Sequence, residues 1–126
     1  MKPRYEYYGI LLDAESHETL KNKFVIPLGW KIFAHHTTIL HRSRHSDEMQ
    51  EWAEAHLGDV VTLTVTKRGA SDKAMAVEVT GDFRCINAHP HVTIATSPTG
   101  KAVDSNFIED WHSTESFTLT GKITRF

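Results

Sequence analysis

The chain has 126 residues, 40% of them apolar and 24% charged, and a net charge of −2 with its nine histidines neutral. This is the composition of a single soluble globular domain over 1–126, long enough to build a core without disulfide staples. The slight negative charge argues against a broad non-specific nucleic-acid surface, but not against a local basic cleft for a nucleotide or an RNA end.

Aromatic and β-branched residues over 5–12 (YEYYGILL) predict a first strand. The polar stretch 13–23, with Leu20 and Phe24 as helix-spaced anchors, predicts a short helix or long turn. Pro27 and Gly29 punctuate the entry to a second strand over 30–40. A basic turn, HRSRH over 41–45, follows. Ser46 then reads as an N-cap, with Asp47 and Glu48 in the first turn of a helix over 47–57. Met49, Trp52, Ala53 and Leu57 have core spacing, and Gly58 ends the helix. Clean alternation over 59–67 and again over 74–80 predicts a hairpin. A strand over 89–96, a turn at SPTGK, a short helix over 104–111 capped by Asp104 or Ser105, and a closing strand over 116–126 complete the chain. Strand, helix and His-bearing strand recur in both halves, which predicts an α+β fold with mostly antiparallel sheet. A single sheet with helices on one face is the alternative grouping.

Two of the predicted strands carry one pattern. His36-Thr37-Thr38-Ile39 and His91-Val92-Thr93-Ile94 both read His-x-Thr-apolar. Side chains alternate along a strand, so each His shares a face with its Thr while the intervening and following residues point to the core. A single match of this kind in a chain with nine histidines is weak, and a His on a strand is more often structural. Two matches on plausible strands are stronger. If the strands lie side by side, two imidazoles and two hydroxyls converge on one groove. An imidazole titrates near neutrality, so one can take a proton while the other gives one, and the hydroxyls can hold phosphate oxygens.

The paired motif resembles that of the two-histidine phosphoesterase superfamily, which includes RNA ligase-like cyclic phosphodiesterases, 2′,3′-cyclic phosphate hydrolases and nucleases acting on 2′–5′ or 3′–5′ linkages. The segment HVTIATSPTGKAVDSN also resembles the second-motif region of cyclic phosphodiesterase domains linked to RNA repair. The resemblance implies two pseudo-symmetric lobes with flanking helices and an active-site cleft between them. It implies a metal-independent phosphodiesterase acting on RNA or a nucleotide, at 2′,3′-cyclic phosphate ends or 2′–5′ linkages. His36 and His91 would be catalytic, Thr38 and Thr93 would bind phosphate, and no cofactor would be needed. Two other readings stay open. One is degradation of cyclic oligonucleotide immune signals by the same chemistry, if the source is a virus. The other is a non-catalytic nucleotide- or RNA-binding module.

Around this centre, His89 shares a face with His91 and is a candidate substrate contact, although Pro90 distorts strands. Arg42 in the basic turn and Lys101 after the second motif are candidate phosphate contacts, and equally ordinary surface charges. Strand alternation turns His35 away from His36. Tyr7, Tyr8, Trp30 and Phe33 are either core or a base-stacking face. Histidine-rich metal binding is the main competing chemistry, but no Asp, Glu or Cys stands at a familiar ligand spacing, and no metal site is expected. The single cysteine, Cys85, leaves no intramolecular disulfide and fits a reducing compartment. No apolar run reaches membrane-span length. A cytoplasmic protein whose partner is an RNA end or a small cyclic nucleotide, with no membrane association, is the expectation.

Overall fold

The computed structural model describes residues 5–126. Its strands are β1 (Tyr7–Leu12), β2 (Lys31–Ile32), β3 (His36–His41), β4 (Val60–Ala70), β5 (Ala74–Gly81), β6 (His91–Thr96) and β7 (Trp111–Arg125). Its helices are α1 (Ala14–Lys23) and α2 (Asp47–Ala55), with 3₁₀ segments at Arg42–Arg44 and Ala102–Phe107. Strands β6, β3, β1, β7, β4 and β5 pair in that order, and β5 pairs back onto β6, every pair antiparallel. The six strands therefore close into a barrel, which removes the open edges an antiparallel sheet would otherwise expose. Strand β2 adds to the far end of β6, where Lys31 faces Thr96 and Ile32 faces Ala95. The chain is thus α+β with an antiparallel sheet.

Alternation along the strands builds the core. Tyr8, Ile10 and Leu12 of β1, Val61, Leu63 and Val65 of β4, Val77 and Val79 of β5, Val92 and Ile94 of β6, and Leu119 and Ile123 of β7 are buried in one cluster. The helices cover it through Leu20 of α1 and Ala53 of α2. Asp13 caps α1 by accepting from the Ser16 amide at 2.8 Å, and Ser16 Oγ in turn accepts from the Thr120 amide at 2.8 Å. One serine thereby ties the first turn of α1 to β7. Helix α2 is tied through Glu54, whose carboxylate receives the Tyr8 hydroxyl at 2.9 Å and Arg125 at 2.7 Å. Among the described residues no helix is long and apolar enough to cross a membrane.

Helix α2 ends at Ala55, which leaves Leu57 exposed and not in the core, and β6 begins at His91, which leaves His89 and Pro90 outside the strand. Three further elements differ from the sequence expectation. The expected 30–40 strand is two strands, because Ala34 adopts φ 49°, in the left-handed region. The expected 104–111 helix is the shorter 3₁₀ segment Ala102–Phe107, in which the Asp104 carboxylate accepts from the Lys101 amide at 2.8 Å. The last strand begins at Trp111, not at 116. Its early part is polar on both faces, so periodicity conceals it, but Trp111 sits opposite Gly69. A Cβ on Gly69 would stand 2.6 Å from the indole, so the absence of a side chain there makes room for the ring.

The break at Ala34 matters most. A left-handed non-glycine residue costs about 1–2 kcal/mol. Four bonds surround it: Phe33 N–H to Ile94 O (2.8 Å), Ala34 N–H to Thr93 O (2.9 Å), Leu12 N–H to His35 O (2.9 Å) and His17 Nδ1 to Ala34 O (2.8 Å). At about 0.5–1.5 kcal/mol each, four bonds outweigh the strain. Ala34 is fully buried. Ala34→Val should therefore destabilise by about 2–4 kcal/mol, from a β-branched residue at positive φ plus overpacking, while Ala34→Gly should stay within about 1 kcal/mol of wild type. Urea denaturation of the two variants checks this, and a Val variant as stable as wild type would show that the kink is not enforced.

Candidate active site

Strands β3 and β6 meet at a single residue pair, Thr37 opposite Val92. Both side chains are fully buried and face the core. Side chains alternate, so the residues flanking that pair, His36 and Thr38 on one strand and His91 and Thr93 on the other, lie on the opposite face. The strands match in length and nearly in burial: His half-buried, next residue buried, Thr half-buried, then Ile39 or Ile94 buried.

The four side chains line one cavity of about 510 Å³. Beside them stand Tyr7, Phe33, His35, Ser43, Arg44, Asn87 and Asn106. Beyond Thr38 the edge of β3 is covered by the segment after β5. Ile86 N–H donates to Ile39 O at 2.9 Å, and the Cys85 thiol donates to Thr38 O at 3.3 Å. That cover brings Asn87 to the wall, where its Oδ1 accepts from Arg44 Nη1 at 2.8 Å. Thr93 Oγ1 is held 2.8 Å from the buried Ser105 Oγ, either hydroxyl being able to donate to the other.

The other sequence candidates fall in different places. His89 lines an adjoining cavity of about 300 Å³ that shares His91, Arg44, Asn87 and Asn106 with the larger one. Its Nδ1 lies 3.7 Å from Glu78 Oε1. Arg42 and Lys101 line neither cavity. Arg42 turns to Glu6 at 3.3 Å, and the Lys101 backbone begins the Ala102–Phe107 segment. Among the described residues, Arg44 is the Lys or Arg side chain that reaches the larger cavity, because the 3₁₀ turn Arg42–Arg44 sends alternate arginines apart. Of the four aromatics, Tyr7 and Phe33 reach the cavity, Tyr8 is fully buried and Trp30 packs on the core. Ser105 and Asn106 close the segment HVTIATSPTGKAVDSN, but nothing in the sequence singles them or Asn87 out as cavity residues.

His35 corrects the strand-alternation argument. The kink at Ala34 rotates the next residue, so His35 faces the same cavity as His36. Its Nδ1 lies 2.9 Å from His36 Nδ1, with the two rings nearly perpendicular at 87°. The His36 ring also stacks on Tyr7 at 4.9 Å, and Tyr7 stacks on Phe126 at 4.4 Å. His91 is oriented differently: its Nδ1 lies 3.1 Å from His89 O. A carbonyl only accepts, so His91 donates through a proton on Nδ1, and Nε2 is left as the acceptor nitrogen of the neutral ring.

Burial sets the charge of both imidazoles. It pushes His36 down from 6.5 to about 4, helped by the neighbouring His35 and then by His91. It also lowers His91, against the opposing pull of the His89 carbonyl and of Glu78. Both are therefore neutral at pH 7 in the free protein. Burial raises the Tyr7 phenol and the Cys85 thiol, so neither is an anion at neutral pH. Among the described residues no three His, Cys, Asp or Glu side chains gather in an arrangement able to hold a metal ion.

The fold is a closed antiparallel barrel that carries two His-x-Thr strands over one cavity. No family model and no curated protein matches the chain. Among solved structures, that of a fungal RNA kinase superposes with a TM-score of 0.59 at 15% identity. The match takes in 100% of this chain and 42% of the kinase chain. The likeness is one of fold.

The depressed imidazoles have a stability consequence. The unfolded chain binds protons at His36 below pH 6.5, whereas the folded chain does so only near pH 4. Stability from this group is therefore fully present above 6.5 and declines as pH falls from 6.5 to about 4. His91 adds to the same slope. NMR titration should place the His36 midpoint near 4 and that of His91 below 6.5. Denaturation midpoints of His36→Gln should fall less steeply over this interval than those of wild type, and parallel curves would contradict the burial argument.

Proposed function

We propose that the protein is a metal-independent phosphodiesterase of the two-histidine type, hydrolysing a phosphodiester of RNA or a nucleotide at 2′,3′-cyclic phosphate ends or 2′–5′ linkages. One observation carries the reading. His36, Thr38, His91 and Thr93, from distant parts of the chain, line one cavity, with Arg44 beside them. In the reaction a neutral imidazole takes a proton from the attacking water or ribose hydroxyl. The protonated partner gives its proton to the leaving ribose oxygen. Thr38 and Thr93 donate to the non-bridging oxygens, and Arg44 balances their charge. The fold shared with an RNA kinase supports RNA as the substrate class. The two-lobed, pseudo-twofold layout belongs to the same reading, and its support is the matched burial of the two motif strands.

Product analysis on a panel of 2′,3′-cyclic phosphate RNA ends, linear 2′–5′ oligonucleotides and cyclic dinucleotides tests the activity. Turnover should persist in excess EDTA and be lost in His36→Ala and in His91→Ala. A strict need for added zinc or manganese would overturn the mechanism, and binding without turnover would leave a binding module. Both imidazoles lie below 6.5 in the free protein, so kcat/KM should be highest below pH 6.5 and fall as pH rises. The kcat profile should lie further to the alkaline side, because a bound phosphate anion favours the imidazolium.

The threonines give a separate test. Thr38→Ala and Thr93→Ala should each lower kcat on the order of a hundredfold, the usual effect of losing one donor to a developing oxyanion. Thr→Ser at either position should keep most of the activity. Alanine variants that melt early but turn over normally would make the hydroxyls structural.

A further inference from the structure

We propose that His35 is a positioning residue for His36: its Nδ1 accepts the His36 Nδ1–H and leaves His36 Nε2 as the atom that exchanges protons with substrate. The inference rests on the phosphodiesterase reading for its kinetic part, but its structural part stands on geometry alone. The Nδ1 atoms are 2.9 Å apart, so one proton lies between them. Either ring is able to supply it when both are neutral. Only one direction survives a catalytic cycle. When His36 is charged, both of its nitrogens are donors, and the contact holds only if His35 accepts. When His36 has given up its Nε2 proton, it retains Nδ1–H and the same bond. The opposite direction would place two N–H groups against each other each time His36 became charged.

The arrangement repeats what His89 O does for His91, where the carbonyl fixes Nδ1–H and frees Nε2. Each working imidazole thus has a dedicated acceptor, but of different chemistry. The fold holds a strained backbone to provide this one: without φ 49° at Ala34, His35 would face away. His35 is exposed, and its ring also lies 6.0 Å from that of Phe126, so its orientation is not set by His36 alone.

The test compares His35→Ala with His35→Asn, whose Oδ1 can stand where the imidazole Nδ1 stands and only accepts. In His35→Ala, kcat should fall by about tenfold to a hundredfold with KM little changed, short of the whole hundred- to ten-thousandfold that general acid–base catalysis supplies. His35→Asn should return kcat to within about threefold of wild type. ¹⁵N spectra of the ring nitrogens at pH 7.5, with His36 assigned from the His36→Gln spectrum, should show Nδ1–H in wild type and His35→Asn. In His35→Ala the Nε2–H form should gain. A wild-type His36 protonated on Nε2 overturns the proposal, as does an alanine variant with unchanged kcat or an asparagine variant as slow as alanine. The spectra need no substrate, so a protein inactive on every phosphodiester would overturn the proposed reaction while the tautomer of His36 is still decided.

Discussion

The site depends on one residue pair. Thr37 and Val92 are the single bridge between β3 and β6, and they bury their side chains together. Because side chains alternate, that one pairing dictates that His36, Thr38, His91 and Thr93 share the opposite face. A slip of one residue in either strand would send a histidine and a threonine into the core. The bridge is short because its flanks are claimed by others. On one side β6 turns to Phe33, Ala34 and β2, and on the other the segment carrying Cys85 and Ile86 covers β3. The strands are joined firmly enough to fix register, and beyond the bridge each pairs with other segments, leaving the cavity between them.

Barrel closure makes so short a bridge tolerable. β5 pairs with β6 over five residue pairs, from Ala74–Thr96 to Glu78–His91, and β1 holds β3 from Tyr7–His41 to Leu11–His36. Each motif strand is therefore anchored on its far side by a longer ladder. The core behind them contains side chains worth about 1.5–3 kcal/mol each on burial, which is more than the strain at Ala34. A rigid wall on each side is what lets polar groups be held half-buried without collapsing onto one another.

Much of this was legible in the sequence because it rests on alternation. The hairpin β4–β5, the second motif strand, the His36–His41 part of the first, and the Ser46 cap, which accepts from the Met49 amide, follow from a period of two and from capping chemistry. What escaped is whatever interrupts the period. Ala34 has no glycine or asparagine signature, so its positive φ could not be read, and with it went the true direction of His35. The polar start of β7 is held by a Gly69–Trp111 packing that exists only once the strands are paired. Arg44 and Arg42 look alike in HRSRH, and a single 3₁₀ turn separates the one that reaches the cavity from the one that pairs with Glu6. Membership of the cavity wall is a property of topology, and no local pattern in Asn87 announces it.

The electrostatics explain how two like residues could take opposite roles. An acid–base pair needs one proton on one imidazole and none on the other. In the free protein burial keeps both neutral, and His91 further lowers His36, so a doubly charged state is disfavoured twice over. In the proposed reaction a phosphodiester anion brings the missing charge. Its field favours one imidazolium. A second would face both the desolvation penalty and, at His36, its neighbour His91, so the bound anion favours a state with one proton on the pair. Division of labour then requires no difference in the histidines themselves. In the proposed reaction it would follow from the side of the phosphorus on which the leaving oxygen lies.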